Sequence, residues 1–145
     1  MKILLTVDGS AYTTKAVKYL ASHLEWFKDA PELHLLHVKA PIPAGLATSR
    51  ARALLGNDAV DNYYKEEAEE ALSVAEKALN KKEIPFKATY KVGEVTEEIK
   101  AYAKKNKIDM IVMGSHGHGA LTGAIMGSVA TKILASTDIP VMIVR

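Results

Sequence analysis

The sequence predicts an α/β fold, a five-stranded parallel sheet of order 3-2-1-4-5 with helices on both faces. Three observations carry this. Apolar strand-like runs alternate with amphipathic helical patterns along all 145 residues, the order from which parallel sheets are built. The first run, residues 3–7, is apolar apart from Thr6, as in a strand covered on both faces. The crossovers joining such strands are right-handed, which favours a doubly wound sheet with the first and fourth strands adjacent. In that topology a ligand binds outside the carboxyl ends of the strands, where the winding reverses. Asp8 and Gly114, at the ends of the first and fourth strands, are therefore expected to face one crevice. No repeat, low-complexity tract or linker divides the chain, so residues 1–145 read as one domain.

The elements follow in order. After residues 3–7, Asp8-Gly9-Ser10 breaks the strand and Ser10 suits a helix N-cap. Ala16, Val17, Leu20, Leu24 and Phe27 give that helix its apolar stripe. Residues 33–38 form the second strand. Val60, Tyr64, Ala68, Ala71, Leu72, Ala75 and Leu79 recur at steps of three and four, which predicts a long helix. Its acidic start at Glu66 and Glu67 and basic end at Lys81 and Lys82 suit the helix dipole. Phe86, Ala88 and Tyr90 alternate with Lys87, Thr89 and Lys91, a strand with one wet face whose lysines suit a sheet edge. Val95, Ile99 and Tyr102 mark the third helix, residues 109–113 the fourth strand, and Met126, Val129, Ala130, Ile133 and Leu134 the fourth helix. Residues 141–144 form the fifth strand, with Pro140 at its start, where a sheet tolerates proline.

Composition bounds the function. Hydrophobic content of 48% and charged content of 25% are those of an ordinary globular protein. A net charge of +2, with no basic block longer than Lys81-Lys82 or Lys104-Lys105, points away from nucleic acid. The absence of cysteine excludes disulfides, thiolate metal sites and cysteine nucleophiles, and fits a reducing compartment. The opening apolar run is too short for a signal peptide, and no run approaches the roughly 18 residues of a membrane span. No membrane partner is expected, and the expected location is the cytoplasm.

The run MGSHGHGALTGAIMGSV, residues 113–129, is the most informative stretch. It follows an apolar strand and ends where a helical pattern begins. Glycine lets a backbone approach a ligand closely, and a helix start offers unpaired N–H groups and partial positive charge, so the pair makes an anion site. It is not a Walker A loop. The dinucleotide fingerprint also fails, because Thr122 stands where its last glycine belongs. A strand-to-helix loop of about a dozen residues exceeds the usual roughly 2–6 and is more often functional. Read by residue type alone, a surface loop whose glycines only make turns stands equal beside that reading.

Thr6-Val7-Asp8-Gly9-Ser10 after an N-terminal strand resembles the opening of the universal stress protein family. The spacing of Gly114, Gly117 and Gly127-Ser128 is similar to that family's ATP-binding motif, and the ending DIPVMIVR is similar to its last strand. The resemblance spans essentially the whole chain. It implies a Rossmann-like, adenine-nucleotide-hydrolase-like sheet, a bound ATP (or ADP or AMP) with Mg²⁺, and a homodimer through the last strand. Position by position, it implies that Asp8 accepts hydrogen bonds from a ribose or holds Mg²⁺ indirectly, through water and phosphate. Thr6 and Val7 lead into it. Val38 would present its backbone to the adenine edge, Gly114 and Gly117 would pass close to ribose and phosphates with His116 between them, and Gly127, Ser128 and Val129 would offer N–H groups to phosphate. Bland readings stand beside these: Asp8 as the start of a turn, Val38 as core, Ser128 as an N-cap.

One departure from the family pattern stands out. No Lys or Arg lies between Gly114 and Ser128, where the family commonly carries basic residues. That puts a preference for three phosphates in doubt, since a third phosphate gains much from a cation. Residues 39–57 hold Arg50 and Arg52 and read as a connector with a short helix over 49–55, or as the source of the missing cation. His34 and His37, three apart on a strand, point to opposite faces, and with His116 and His118 they show no transition-metal spacing. No GxSxG elbow is present. The functional expectation is a nucleotide-binding stress or signalling module with no catalytic residue and at most a weak ATPase. The alternative is an enzyme that uses an adenine nucleotide for adenylyl transfer or phosphate-ester hydrolysis. Val141 and Ile143, on a short apolar strand at a sheet edge, suit self-pairing.

Overall fold

A computed structural model describes residues 1–42, 56–117 and 126–145. The elements run β1 (Lys2–Thr6), α1 (Ala11–Ala21), a 3₁₀ turn (Leu24–Trp26), β2 (Glu32–Lys39), α2 (Asn57–Asn80), β3 (Phe86–Val92), α3 (Val95–Asn106), β4 (Met110–Gly114), α4 (Ser128–Ser136) and β5 (Val141–Val144). Every strand pair is parallel, and the order is β3-β2-β1-β4-β5. The predicted fold class is the observed one. Arg50, Arg52 and the helix expected over 49–55 lie outside the described residues, as does His118.

Alternation along each strand sorts side chains between two cores. Ile3, Leu5 and Val7 of β1, Leu33 and Leu35 of β2, and Met110 and Val112 of β4 pack under α1 and α2. Leu4, Leu36, Ile111 and Met113 face the other way, against Ile99 and Ala103 of α3 and Ala130 and Ile133 of α4. Each fully buried Leu or Ile contributes about 1.5–3 kcal/mol of transfer free energy, so the central strands hold both layers. The reversal between β1 and β4 leaves the carboxyl ends of both strands open to one side.

Ser10 caps α1 by accepting from the Thr13 N–H at 3.3 Å, and Glu94 caps α3 by accepting from the Glu97 N–H at 2.7 Å. Several expectations need correction. Leu24 and Phe27 pack against the first core, but α1 has already ended at Ala21, and they sit on and just after the 3₁₀ turn. The long helix begins at Asn57, so Glu66 and Glu67 lie in its interior and the acidic residue of its first turn is Asp58. Gly127, not Ser128, occupies the N-cap of α4, and Ser128 is its first helical residue. Leu134 is 44% exposed, off the buried stripe. Strand β3 lies at an edge, as its lysines suggest, but Tyr90 and Val92 are 36% and 38% exposed. With a neighbour on one side only, neither face of that strand is fully covered.

Candidate functional site

Strand β1 delivers Asp8 on a backbone tied at both of its polar atoms. The Val7 N–H donates to Leu36 O at 2.8 Å, and Val7 O accepts from His37 Nδ1 at 2.8 Å. A carbonyl only accepts, so Nδ1 carries the proton of that imidazole. His34, three residues earlier, faces the other core and meets the Tyr102 hydroxyl at 2.8 Å; the opposite-face expectation for the two histidines is what the structure shows. Gly9 then takes φ 81°, which opens the turn into α1.

The Asp8 carboxylate is held inside this turn. Its Oδ1 accepts from the Ser10 N–H at 2.9 Å and from the Thr13 hydroxyl at 2.5 Å, while the Asp8 N–H donates back to Thr13 Oγ1 at 3.2 Å. The bland turn and the site reading of Asp8 are therefore compatible: the turn is what aims the carboxylate.

The glycine-rich loop starts from β4. The Ser115 N–H donates to Val144 O at 2.8 Å, and Ser115 O accepts from the Gly127 N–H at 2.7 Å. This second bond pinches the two ends of the long loop together and brings the start of α4 beside the end of β4. Each motif glycine is explained by a close approach within the protein. A Cβ on Gly114 would stand 2.8 Å from the Tyr12 backbone carbon, one on Gly117 would stand 2.5 Å from Asp8 Oδ2, and one on Gly127 would stand 3.2 Å from His116 Cα and Ser115 O. Positive φ is not the reason, since among the described residues the glycines with positive φ are Gly9 and Gly56. His116 meets Ser115 Oγ through Nδ1 at 3.0 Å, and its ring lies 4.9 Å from that of Tyr12.

A cavity of about 320 Å³ opens where these pieces meet. All ten residues singled out from sequence line it. Thr6, Val7 and Asp8 come from the end of β1 and Val38 from the end of β2; Gly114, His116 and Gly117 follow β4; Gly127, Ser128 and Val129 begin α4. Sequence reasoning missed Thr13, Leu36, Val95, Ile99, Met113, Met126 and Ala130, which also line it. Thr13 had a signal, three residues past the Ser10 cap. Val95 and Ile99 arrive through tertiary packing of α3 and carried none.

The cavity has two characters. Toward β2 and α3 it is apolar, with Leu36, Val38, Val95 and Ile99. Toward the β1–α1 turn and α4 it offers Asp8, Thr13 and the first turn of α4, whose N-cap Gly127 has no side chain to satisfy the leading N–H groups. Those N–H groups lack intrahelical acceptors and carry the positive end of the dipole. No Lys or Arg is among its described lining residues. Among the described residues no three His, Asp or Glu side chains group closely enough to hold a metal, and no helix is long and apolar enough to cross a membrane.

At the far end of β2, Glu32 accepts from Lys87 Nζ at 2.5 Å and from His34 Nε2 at 3.0 Å. Those two bonds, Lys87 first, hold its carboxyl down at about 2. Past Val38, Lys39 pairs with Glu67 of α2, which pushes the ammonium pKa up and the carboxyl pKa down.

The sequence profile of the universal stress protein family matches residues 1–145. Universal stress protein YxiE of Bacillus subtilis is 31% identical over 147 residues, covering 99% of this chain and 98% of that one. Slr1230 of Synechocystis is 30% identical over 99% of this chain, which spans 42% of its length. Among solved structures, MJ0577 of Methanocaldococcus jannaschii superposes with a TM-score of 0.75 at 28% identity, covering 99% of this chain and 94% of that one. A family member from Arabidopsis thaliana, solved with AMP bound, shares the fold with a TM-score of 0.65 at 18% identity, covering 99% and 90%.

Proposed function

This chain belongs to the universal stress protein family, and from that premise we propose that it binds an adenine nucleotide (ATP, ADP or AMP) in the cavity between the ends of β1 and β4 and the start of α4. It acts as a stress-response or signalling module in the cytoplasm, with at most slow hydrolysis. One observation carries the reading: a single cavity is apolar at one end and, at the other, meets a fixed carboxylate and a helix start without a side-chain cap. A purine suits Leu36, Val38, Val95 and Ile99, a ribose suits Asp8, and phosphate suits the N–H groups of Ser128 and Val129, the Gly127 N–H being held by Ser115 O. The volume of about 320 Å³ falls within the range of small-molecule sites, roughly 300–1,000 Å³. The AMP held by the Arabidopsis protein makes the monophosphate a ligand to test early.

Asp8 is the one carboxylate among the described lining residues. That donor set fits a Mg²⁺ carried in on the phosphates and touched through water, since Mg²⁺ keeps several waters and takes one or two carboxylates beside phosphate. Ser10 and Thr13 hold Asp8 as an acceptor, which supports binding over rapid turnover. The proposal extends to a homodimer through β5. That strand ends the sheet, its Val141, Met142 and Ile143 are only half-buried, and Leu134 of the adjacent α4 is exposed. Light scattering at micromolar concentration tests the pair, and a monomer mass rejects it.

Calorimetry with ATP, ADP and AMP, with and without Mg²⁺, tests the binding. Saturable heat with at least one nucleotide, lost in Gly117→Trp, is expected. A folded protein that takes up none of the three, and releases no adenine compound to mass spectrometry after denaturation, overturns the reading.

A further inference from the structure

We propose that Thr13 is a positioning residue that fixes the Asp8 carboxylate as a reader of hydroxyl donors, so that the cavity selects a ribose over a deoxyribose. The inference rests on the nucleotide reading above and deepens it.

Thr13 closes a small ring with Asp8. Its hydroxyl donates to Asp8 Oδ1 at 2.5 Å, and the same oxygen accepts the Asp8 N–H at 3.2 Å. Thr13 cannot easily move, being 4% exposed, with its own N–H donating to Ser10 Oγ at 3.3 Å. The Ser10 N–H braces Oδ1 from a second direction at 2.9 Å. On the opposite side Gly117 comes so close to Oδ2 that a Cβ there would stand 2.5 Å away. The carboxylate is therefore held through Oδ1, with the Gly117 backbone close beside Oδ2, while it lines the cavity.

The chemistry of what it meets follows. An ionised carboxylate only accepts, and it repels phosphate, which belongs at the start of α4. The donors an adenosine phosphate can bring to this point are its sugar hydroxyls. A mobile carboxylate would turn to water when a hydroxyl is missing. A fixed one cannot turn to replace the missing donor, and sites built this way discriminate against the analogue that lacks it. Valine matches threonine in shape without the hydroxyl, and serine keeps the hydroxyl.

The experiment titrates AMP and ATP, each beside its 2′-deoxy and 3′-deoxy analogue, into the wild-type protein and into Thr13→Val and Thr13→Ser. Calorimetry gives affinities, and a thermal melt checks each fold. The wild type is expected to bind the ribonucleotide about 10- to 100-fold more tightly than at least one deoxy analogue, the effect of one hydrogen bond to a charged group. In Thr13→Val that ratio falls to about threefold or less, and Thr13→Ser retains it. Thr13→Ala gives the same reading should the valine variant melt too low. A Thr13 that only supports the fold would weaken both nucleotides equally and leave the ratio intact, which overturns the proposal. So does a wild-type ratio near one. A wild type that binds neither AMP nor ATP overturns the nucleotide reading itself.

Discussion

Replacing Gly117 with alanine is the sharpest perturbation available, because the structure says what the added methyl meets. Its Cβ would lie 2.5 Å from Asp8 Oδ2, against 3.4 Å for ordinary contact, so the carboxylate must retreat by about 0.9 Å. Asp8 is a short side chain, so that movement strains the hydrogen bonds that hold Oδ1. Oδ1 sits 2.5 Å from Thr13 Oγ1 and 2.9 Å from the Ser10 nitrogen, and such bonds weaken beyond about 3.2 Å. We expect at least one of them to lengthen past that limit. A hydrogen bond to a charged group is worth about 1.5–3 kcal/mol, and the partial exposure of Asp8 places this loss nearer the lower end. We expect Gly117→Ala to cost about 1–2 kcal/mol, lowering the urea midpoint by about 0.5–1 M at a slope of roughly 2 kcal/mol/M. Nucleotide affinity should fall at least about tenfold, because the displaced carboxylate loses its aim. Urea unfolding followed by circular dichroism, with calorimetry on the same sample, measures both. An alanine variant with the wild-type midpoint and wild-type affinity would refute the reasoning, since it would mean that the loop yields and Asp8 does not.

Other predictions follow from the same packing. Gly114→Ala puts a Cβ 2.8 Å from the backbone and Cβ of Tyr12, where no flexible side-chain end can give way; chemical denaturation should show a loss of about 1–3 kcal/mol from overpacking. Tyr102→Phe removes the hydroxyl that His34 Nδ1 meets in a buried position and should cost about 1–3 kcal/mol for the orphaned nitrogen; a loss under a few tenths in the same assay would contradict it. Glu32, held at about 2 by Lys87 and His34, is depressed below the unfolded carboxyl, so its contribution is present above about 4.3 and is lost as pH falls toward 2. Lys87→Met should move the Glu32 midpoint upward in a ¹³C carboxyl titration by NMR and remove part of the acid-side fall in stability; an unmoved midpoint would contradict the assignment to Lys87.

Much of the fold and of the candidate site was legible because the deciding signals are local. A largely apolar run such as residues 3–7 is legible because both faces of its buried part, Ile3, Leu4 and Leu5, are covered, and the Gly114, Gly117, Gly127 spacing is legible because each glycine answers a close contact. What failed to show depends on neighbours far along the chain. Val95 and Ile99 reach the cavity because α3 packs over β2, which no spacing within α3 announces. Tyr90 fits an inward alternation yet is exposed, because alternation says nothing of whether a layer covers the edge. Glu66 and Glu67 suggested a helix start by charge, but Val60 and Tyr64 already belong to the buried stripe of α2. The glycines suggested approach to a ligand, and the structure adds that they first let Asp8, Tyr12 and His116 approach one another.

The central claim is that three separated stretches of chain form one nucleotide pocket. Chemical-shift mapping of ¹⁵N-labelled protein titrated with AMP and ATP tests it most directly. The account predicts that the amides of Asp8, Gly117 and Gly127 through Ala130 shift together along one binding curve, with Val38 and Val95 following. Shifts confined to other surfaces, such as the groove between β3 and α3, or a spectrum unmoved by either nucleotide, would contradict it.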